Sequence, residues 1–144
     1  YNVRGQEFNA ILGLSQLKRL DYNIDSRVEN LNIWIDSLDK EKFFVDFAIE
    51  GNSNFALPLI VLNSDKDRFI RVCQILEDNK VEYRVGTAGG GNQAKQPYLE
   101  KYDFDAGDLP NSDYIHEFAL YIGNHPEIKE NQIIELCTKL NEES

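Results

Sequence analysis

A glycine-rich segment at residues 83–98, YRVGTAGGGNQAKQPY, contains the residue types in this chain that are best suited to binding chemistry. Three consecutive glycines follow an apolar-alternating run that ends at Arg84, and Lys95 lies just beyond them. Backbone N–H groups with no Cβ in the way can form a concavity that accepts an anion. A guanidinium group binds phosphate through two parallel hydrogen bonds. The segment therefore predicts an anion site bracketed by Arg84 and Lys95, and a flexible surface loop with scattered charges is the alternative.

The composition indicates one acidic globular domain. The 144 residues carry a net charge of -10 at pH 7, and 42% of them are hydrophobic. This length is typical of a single domain with a real core. The charge argues against a general nucleic-acid binder and against binding to an anionic membrane surface, since both need a basic face. No run approaches the roughly 20 apolar residues of a membrane helix.

The chain lacks an evident set of catalytic or metal-binding side chains. Cys73 and Cys137 lie far apart within helical patterns, which predicts buried thiols in a reducing cytoplasm instead of a disulfide or a zinc site. His116 and His125 have no neighbouring nucleophile, and no lysine lies in an apolar run that would lower its pKa. The sequence therefore predicts a binding part, not a complete reaction centre.

Hydrophobic periodicity predicts the element order α-α-β-β-α-β-β-α. The predicted strands are residues 43–49, 55–62, 81–85 and 118–122. The first two are expected to form a hairpin, and Pro58 should confine the second to a sheet edge or a bulge because proline lacks an N–H. Consecutive strands predict an α+β fold, with a small antiparallel or mixed sheet and helices mainly on one face.

Two helices are predicted before the first strand. The first helix, which runs from Glu7 to about Leu20, contains Gly13, which costs about 1 kcal/mol relative to alanine and suggests close packing on another helix or subunit. The second helix starts at Asp21, and Trp34 is expected in the core. The chain opens inside a patterned segment without an initiating methionine, which we interpret as a piece of a longer protein.

The opening sequence YNVRGQEFNAILGLSQLKRLD resembles the start of the small domain in the DegT/DnrJ/EryC1/StrS family of pyridoxal-phosphate enzymes, which act on nucleotide-linked keto sugars. The matching positions are Tyr1, Asn2, Arg4, Glu7, Ala10, Gly13, Gln16, Leu17 and Leu20. The segments LPNSDYI and YIGNHPEI are similar to the ending of the family's chains. The loop RVGTAGGGNQAKQPYL is similar to one branch, the 3-dehydratases of 4-keto-6-deoxy sugars.

The resemblance implies roles for particular residues. Asn2 would contact the phosphate of pyridoxal or pyridoxamine 5'-phosphate in a neighbouring subunit's site, and Arg4 would add positive charge near the cofactor or the sugar. A sugar nucleotide would be held, through its diphosphate, by Arg84, Gly86, Thr87, Gly89, Gly90, Gly91 and Asn92. The cofactor lysine, or the histidine that replaces it in the dehydratases, would lie in an N-terminal large domain outside this chain.

The resemblance further implies the C-terminal small domain, residues 1–144, of a cytoplasmic homodimeric enzyme. The expected reaction is C3 dehydration of a nucleotide-linked 4-keto-6-deoxy sugar, for a deoxysugar of the colitose type. Transfer of an amino group to C4 is the alternative within the family. A non-catalytic α+β ligand-binding or regulatory module is the alternative from another class. No catalytic residue and no metal site are assigned within this chain, and the chain alone is not expected to be active.

Overall fold

The computed structural model describes residues 5–99, 101–102 and 107–142. The helices are α1 Glu7–Leu17, α2 Leu20–Ser37, α3 Lys66–Asp78, α4 Pro110–Phe118 and α5 Glu130–Glu142. The strands are β1 Ala56–Ile60, β2 Tyr83–Val85 and β3 Ala119–Gly123, and short 3-10 turns cover Gly86–Gly89, Gln93–Lys95 and Pro97–Leu99. Among the described residues, no helix combines the length and apolar character needed to cross a bilayer.

The three strands form one antiparallel sheet in the order β1-β3-β2. The last strand in the sequence, β3, takes the centre and pairs with both others. Leu120 lies opposite Leu59 of β1 and opposite Val85 of β2, so these three side chains share one face. This arrangement confirms the predicted α+β fold with a small antiparallel sheet.

The predicted strand at residues 43–49 is wrong, and so is the hairpin that it was expected to form. Phe43 makes an isolated antiparallel bridge with Val61, and β1 pairs with β3 instead. Pro58 explains why the pairing of residues 43–49 with β1 stops after this bridge. A longer ladder along this edge would need a backbone N–H at position 58, and proline has none. Its carbonyl oxygen accepts a 2.8 Å hydrogen bond from Nε1 of Trp34. The prediction that Pro58 marks an edge strand is confirmed.

The core lies between one face of the sheet and three helices. The buried cluster contains Leu31, Trp34, Leu38, Phe43, Leu57, Leu59, Val61, Val72, Leu76, Leu120, Ile122, Ile133, Cys137 and Leu140. Trp34 is fully buried, as expected from the sequence. Because side chains alternate across a strand, Arg84 and Tyr121 point to the opposite face of the sheet, away from this cluster.

Helix α1 contributes no buried residue to the described part of the chain. Four of its large apolar side chains, Phe8, Ile11, Leu14 and Leu17, are each more than 60% exposed. None of the described residues lies within 4 Å of the position that a Cβ on Gly13 would occupy. Any close packing at Gly13 must therefore come from a partner other than the described residues.

Candidate functional site

Arg84 lies in the middle of β2, directly opposite Tyr121 of β3. Its guanidinium forms a 2.6 Å ion pair with Glu82, and the two side chains are 52% and 78% exposed. Exposed ion pairs contribute little to stability, because water screens them. An incoming anion can therefore displace Glu82 from Arg84 at small cost.

Two open hollows adjoin each other on this outer face of the sheet, and Tyr121 lines both. The first has a volume of about 410 Å³ and is lined by Val81, Glu82, Arg84, Tyr121 and Gly123. The second, of about 270 Å³, is lined by Asn54, Phe55, Ala56, Pro58, Gly90 and Tyr121. The rings of Phe55 and Tyr121 meet edge to face with centroids 5.7 Å apart. A charged hollow beside an aromatic one suits a ligand that has both an anionic group and a ring.

The glycine loop turns sharply just after Arg84. Gly86 and Gly90 adopt left-handed backbone angles, with φ of 56° and 84°. The carbonyl oxygen of Gly86 accepts hydrogen bonds from the backbone N–H groups of both Gly90 and Gly91. These two amides therefore already have intramolecular partners. Thr87 and Gly89 lie within the 3-10 turn that these bonds close.

Gly91 faces helix α4, not the hollows. A Cβ at this position would lie 2.7 Å from the Cα of His116, 2.8 Å from the carbonyl oxygen of Gly86 and 2.8 Å from Nδ1 of His116. Such distances do not occur in real structures, so only glycine fits without movement of the backbone. The need for glycine here has a packing cause.

Asn92 is 7% exposed, and both ends of its amide are in use. Its Oδ1 accepts from the Ala94 N–H at 2.8 Å, and its Nδ2 donates to Oδ1 of Asp113 at 2.8 Å. The same Asp113 oxygen lies 2.9 Å from Nζ of Lys95. Hydrogen bonds from Asn92 and then Lys95 lower the pKa of Asp113, and the bond to Asp113 raises the pKa of Lys95. Lys95 thus pairs with α4 in this structure.

A model of the DegT/DnrJ/EryC1/StrS aminotransferase family matches residues 1–141. The chain belongs to this family. The match extends over nearly all of the chain, so it includes the opening segment, the glycine loop and α4. The family resemblance that the sequence motifs indicated is confirmed.

Two curated relatives illustrate the match. A GDP-4-keto-6-deoxy-D-mannose 3-dehydratase of Yersinia pseudotuberculosis is 29% identical over 128 residues, which cover 87% of this chain and 32% of the relative. The lipopolysaccharide biosynthesis protein RfbH of Salmonella typhimurium is 24% identical over 147 residues, covering 99% of this chain and 33% of the relative. This family member therefore spans about a third of the length of the curated relatives that it matches.

Solved structures share the fold. The E. coli GDP-4-keto-6-deoxy-D-mannose 3-dehydratase with bound hydrated PLP superposes with a TM-score of 0.83 at 24% identity, covering 97% of this chain and 36% of that one. Helicobacter pylori PseC, an aminotransferase involved in the biosynthesis of pseudoaminic acid, gives a TM-score of 0.78 at 17% identity, covering 100% and 39%. These superpositions confirm the predicted α+β fold with its small antiparallel sheet.

The predicted site residues of this family member fall into four groups, one of which is the 3-10 turn that contains Gly86, Thr87 and Gly89. Arg84 and Gly90 border the two hollows, whereas Gly91 and Asn92 pack against α4. Asn2 and Arg4, predicted to contact the cofactor, lie outside the described residues. Their roles, and the substrate contacts of the loop, stay predictions.

Sequence reasoning missed two residues that line the hollows, Phe55 and Tyr121, and the α4 side chains that hold the loop. The alternation of side chains in β3 indicates that Tyr121 lies on the face away from the core. Its position opposite Arg84 depends on the pairing of β2 with β3, which are distant in sequence. The spacing of Asp113, His116 and Glu117 was readable as one helix face. That this helix face contacts the glycine loop could be seen only in the tertiary structure.

The described residues offer no buried lysine, and they contain no cluster of side chains able to hold a metal ion. Burial is one way to prepare a lysine amine for carbonyl chemistry, because desolvation lowers the amine pKa. Every lysine among the described residues is at least partly exposed.

Proposed function

We propose that this chain is the C-terminal small domain of an enzyme dependent on pyridoxamine or pyridoxal 5'-phosphate that acts on a nucleotide-linked 4-keto-6-deoxy sugar. C3 dehydration is the proposed reaction, in the biosynthesis of a deoxysugar of the colitose type. The observation that carries the proposal is the match of 87% of the chain to a relative named as a GDP-4-keto-6-deoxy-D-mannose 3-dehydratase. The enzyme is proposed to be cytoplasmic.

The outer face of the sheet is the proposed binding site of the sugar nucleotide. Arg84 binds the diphosphate in this proposal, because its guanidinium is half exposed and its partner Glu82 is more exposed still. The backbone around Gly90 approaches the same ligand, and the rings of Phe55 and Tyr121 contact its sugar or base. Gly91 and Asn92 support this loop from the side of α4.

The cofactor is proposed to be held by Asn2 and Arg4 acting on a neighbouring subunit, together with an N-terminal domain outside this chain. A short amide and a guanidinium both suit a phosphate group. When bound, the cofactor supplies an electron sink for chemistry next to the keto group. The group that moves the proton belongs to the N-terminal domain in this proposal.

The exposed apolar face of α1 supports a partner that covers this domain. Large apolar side chains that are each more than 60% exposed over three turns of a helix mark an interaction surface. About two thirds of the length of each curated relative lies outside the part matched by this chain. We assign α1 to contact with the rest of the same protein, which is proposed to form a homodimer.

Transfer of an amino group to C4 is the second candidate. It is favoured by the likeness of the fold to an aminotransferase, Helicobacter pylori PseC, with a TM-score of 0.78. The two reactions share the substrate class and the cofactor, so the domain described here serves either one.

The test is the product made by the purified intact protein from GDP-4-keto-6-deoxymannose with pyridoxamine phosphate and an amino donor. Mass spectrometry of the sugar nucleotide distinguishes loss of the C3 hydroxyl from gain of an amino group at C4. The first result supports the dehydratase and the second supports the aminotransferase. If the intact protein binds neither the cofactor nor the sugar nucleotide, both proposed reactions are contradicted, and the alternative of a non-catalytic ligand-binding or regulatory module is favoured.

A further inference from the structure

We propose that Asp113 and His116 of α4 are positioning residues, which hold the glycine loop and through it keep Arg84 in the geometry that binds the sugar nucleotide. This inference rests on the proposed function. It assigns α4 a part in substrate affinity although none of its side chains lines the two hollows.

One face of α4 contacts three residues of the glycine loop. Asp113, His116 and Glu117 are spaced as i, i+3 and i+4, so their side chains lie side by side on the helix. The contacts pair Asp113 with Asn92, His116 with Gly91, and both Asp113 and Glu117 with Lys95. Three residues of the loop are therefore held by three residues of one helix turn.

The contact at Gly91 fixes the distance between the loop and the helix. Its backbone comes so close to His116 that an added Cβ would lie 2.7 Å from a Cα atom, which cannot swing aside as a side chain can. Gly91 is not one of the left-handed glycines, so the requirement is for space, not for an unusual φ. Any larger residue must lift the loop from α4.

The contact at Asp113 fixes the orientation of the loop. Asn92 uses one end of its amide to close the Gln93–Lys95 turn and the other to donate to Asp113. Asp113 receives Lys95 on the same oxygen. Hydrogen bonds that involve a charged partner are about twice as strong as neutral ones, so the loss of this carboxylate releases both loop residues together.

These contacts affect Arg84 because β2, the glycine loop, α4 and β3 are connected to one another in turn. Gly86, where the loop begins, is two residues after Arg84, and β2 is only three residues long, so its own ladder holds it weakly. Helix α4 passes directly into β3, which places Tyr121 opposite Arg84. The loop thus joins the far end of β2 to the helix that precedes its partner strand, and this restrains both ends of the short strand.

The experiment uses the intact enzyme with its cofactor bound and compares Asp113→Asn with Asp108→Asn, an exposed aspartate ahead of α4. Asp113→Asn keeps the shape and removes the charge. We expect it to raise KM for the sugar nucleotide roughly tenfold, the value of one lost charged hydrogen bond. We expect kcat and the cofactor absorbance to stay unchanged, and Asp108→Asn to leave KM unchanged. A lowered kcat with an unchanged KM overturns the proposal.

A double-mutant cycle separates positioning from a general structural role. If Asp113 acts through Arg84, Asp113→Asn raises KM in the wild-type background and adds little in the Arg84→Ala background. Full additivity of the two effects overturns the proposal. If Arg84→Ala itself leaves KM unchanged, the proposed substrate site fails, and that outcome is distinct from the failure of α4 as a positioning element.

Lys95→Gln provides a second variant in case Asp113→Asn folds poorly. Lys95 contacts the same carboxylate and its side chain is 38% exposed, so we expect Lys95→Gln to disturb the fold little. We expect a smaller rise in KM, roughly two- to threefold, in line with a partly exposed ion pair. An unchanged KM in Lys95→Gln together with a misfolded Asp113→Asn counts against the proposal.

Discussion

Trp34 of α2 donates a 2.8 Å hydrogen bond from Nε1 to the carbonyl oxygen of Pro58 in β1. The tryptophan is fully buried, and its bond occupies the carbonyl that another strand would otherwise use. Proline supplies no N–H at the same place, so this edge of the sheet does not continue toward residues 44–49. Trp34 and Pro58 thus limit the sheet at β1 and attach α2 to that strand.

Trp34→Phe tests this contact. The Pro58 carbonyl loses its partner, and the smaller phenyl ring leaves a cavity in the core, so we expect the free energy of unfolding to fall by at least about 1–3 kcal/mol. Denaturant unfolding followed by circular dichroism measures the change. Tyr102→Phe, at a ring that is 59% exposed, is the control and should have no effect. Equal stability of the Trp34 variant and the wild type would contradict the role of the bond.

Arg84 and Glu82 offer a paired test of the substrate site in the intact enzyme. Arg84→Ala should raise KM for the sugar nucleotide roughly tenfold to a hundredfold, since hydrogen bonds to charged groups contribute about 1.5–3 kcal/mol. Glu82→Gln should lower KM, because it removes the competing partner that lies 2.6 Å from the guanidinium. Steady-state kinetics at low salt measures both. If both variants shift KM in the same direction, the competition is refuted.

Asn2→Ala tests the proposed contact with the cofactor phosphate. Loss of a hydrogen bond to a charged group should weaken retention of the cofactor by roughly tenfold. Absorbance of the bound cofactor after dialysis of the intact enzyme measures retention. Asn23→Ala on α2 is a matched control and should retain as much as the wild type. Equal retention by the Asn2 variant would remove it from the phosphate site.

The apolar face of α1 predicts different behaviour for the intact protein and for this chain alone. The double variant Ile11→Ser, Leu14→Ser should destabilise the intact protein by about 1.5–3 kcal/mol per residue if both are buried there. It should leave the 144-residue chain within about 0.5 kcal/mol of its parent, since both side chains are more than 60% exposed. Ile70→Ser, equally exposed on α3, is the control. Unfolding curves that are unchanged in the intact protein would contradict a covered α1.

Cys137 predicts a loss of stability at high pH. Burial raises the pKa of its thiol from 9.0 to about 12. Above pH 9 the unfolded thiol loses its proton while the folded thiol keeps it, so unfolding becomes more favourable as the pH rises toward 12. At pH 10 the cost is about 1.4 kcal/mol. Cys137→Ala should therefore flatten the fall of the unfolding free energy between pH 8 and pH 10. A slope equal to that of the wild type would show that this thiol titrates normally.

The local patterns in the chain were enough to predict most elements. The periodicity of α2 and α5 and the edge position of Pro58 follow from neighbouring residues. Such features depend on spacing within about a turn or on the missing N–H of a single proline. The family and the chemistry expected of the glycine loop were also readable from short motifs.

The tertiary structure alone decided which surfaces face each other. β3 lies at the centre of the sheet, which no periodicity indicates, and this pairing puts Tyr121 opposite Arg84. The approach of Gly91 to His116 likewise joins residues 25 positions apart. A glycine that binds a ligand and a glycine that packs on a helix read the same in sequence, because both only lack a Cβ. Their roles separate once long-range packing determines which neighbour occupies the space that a Cβ would fill.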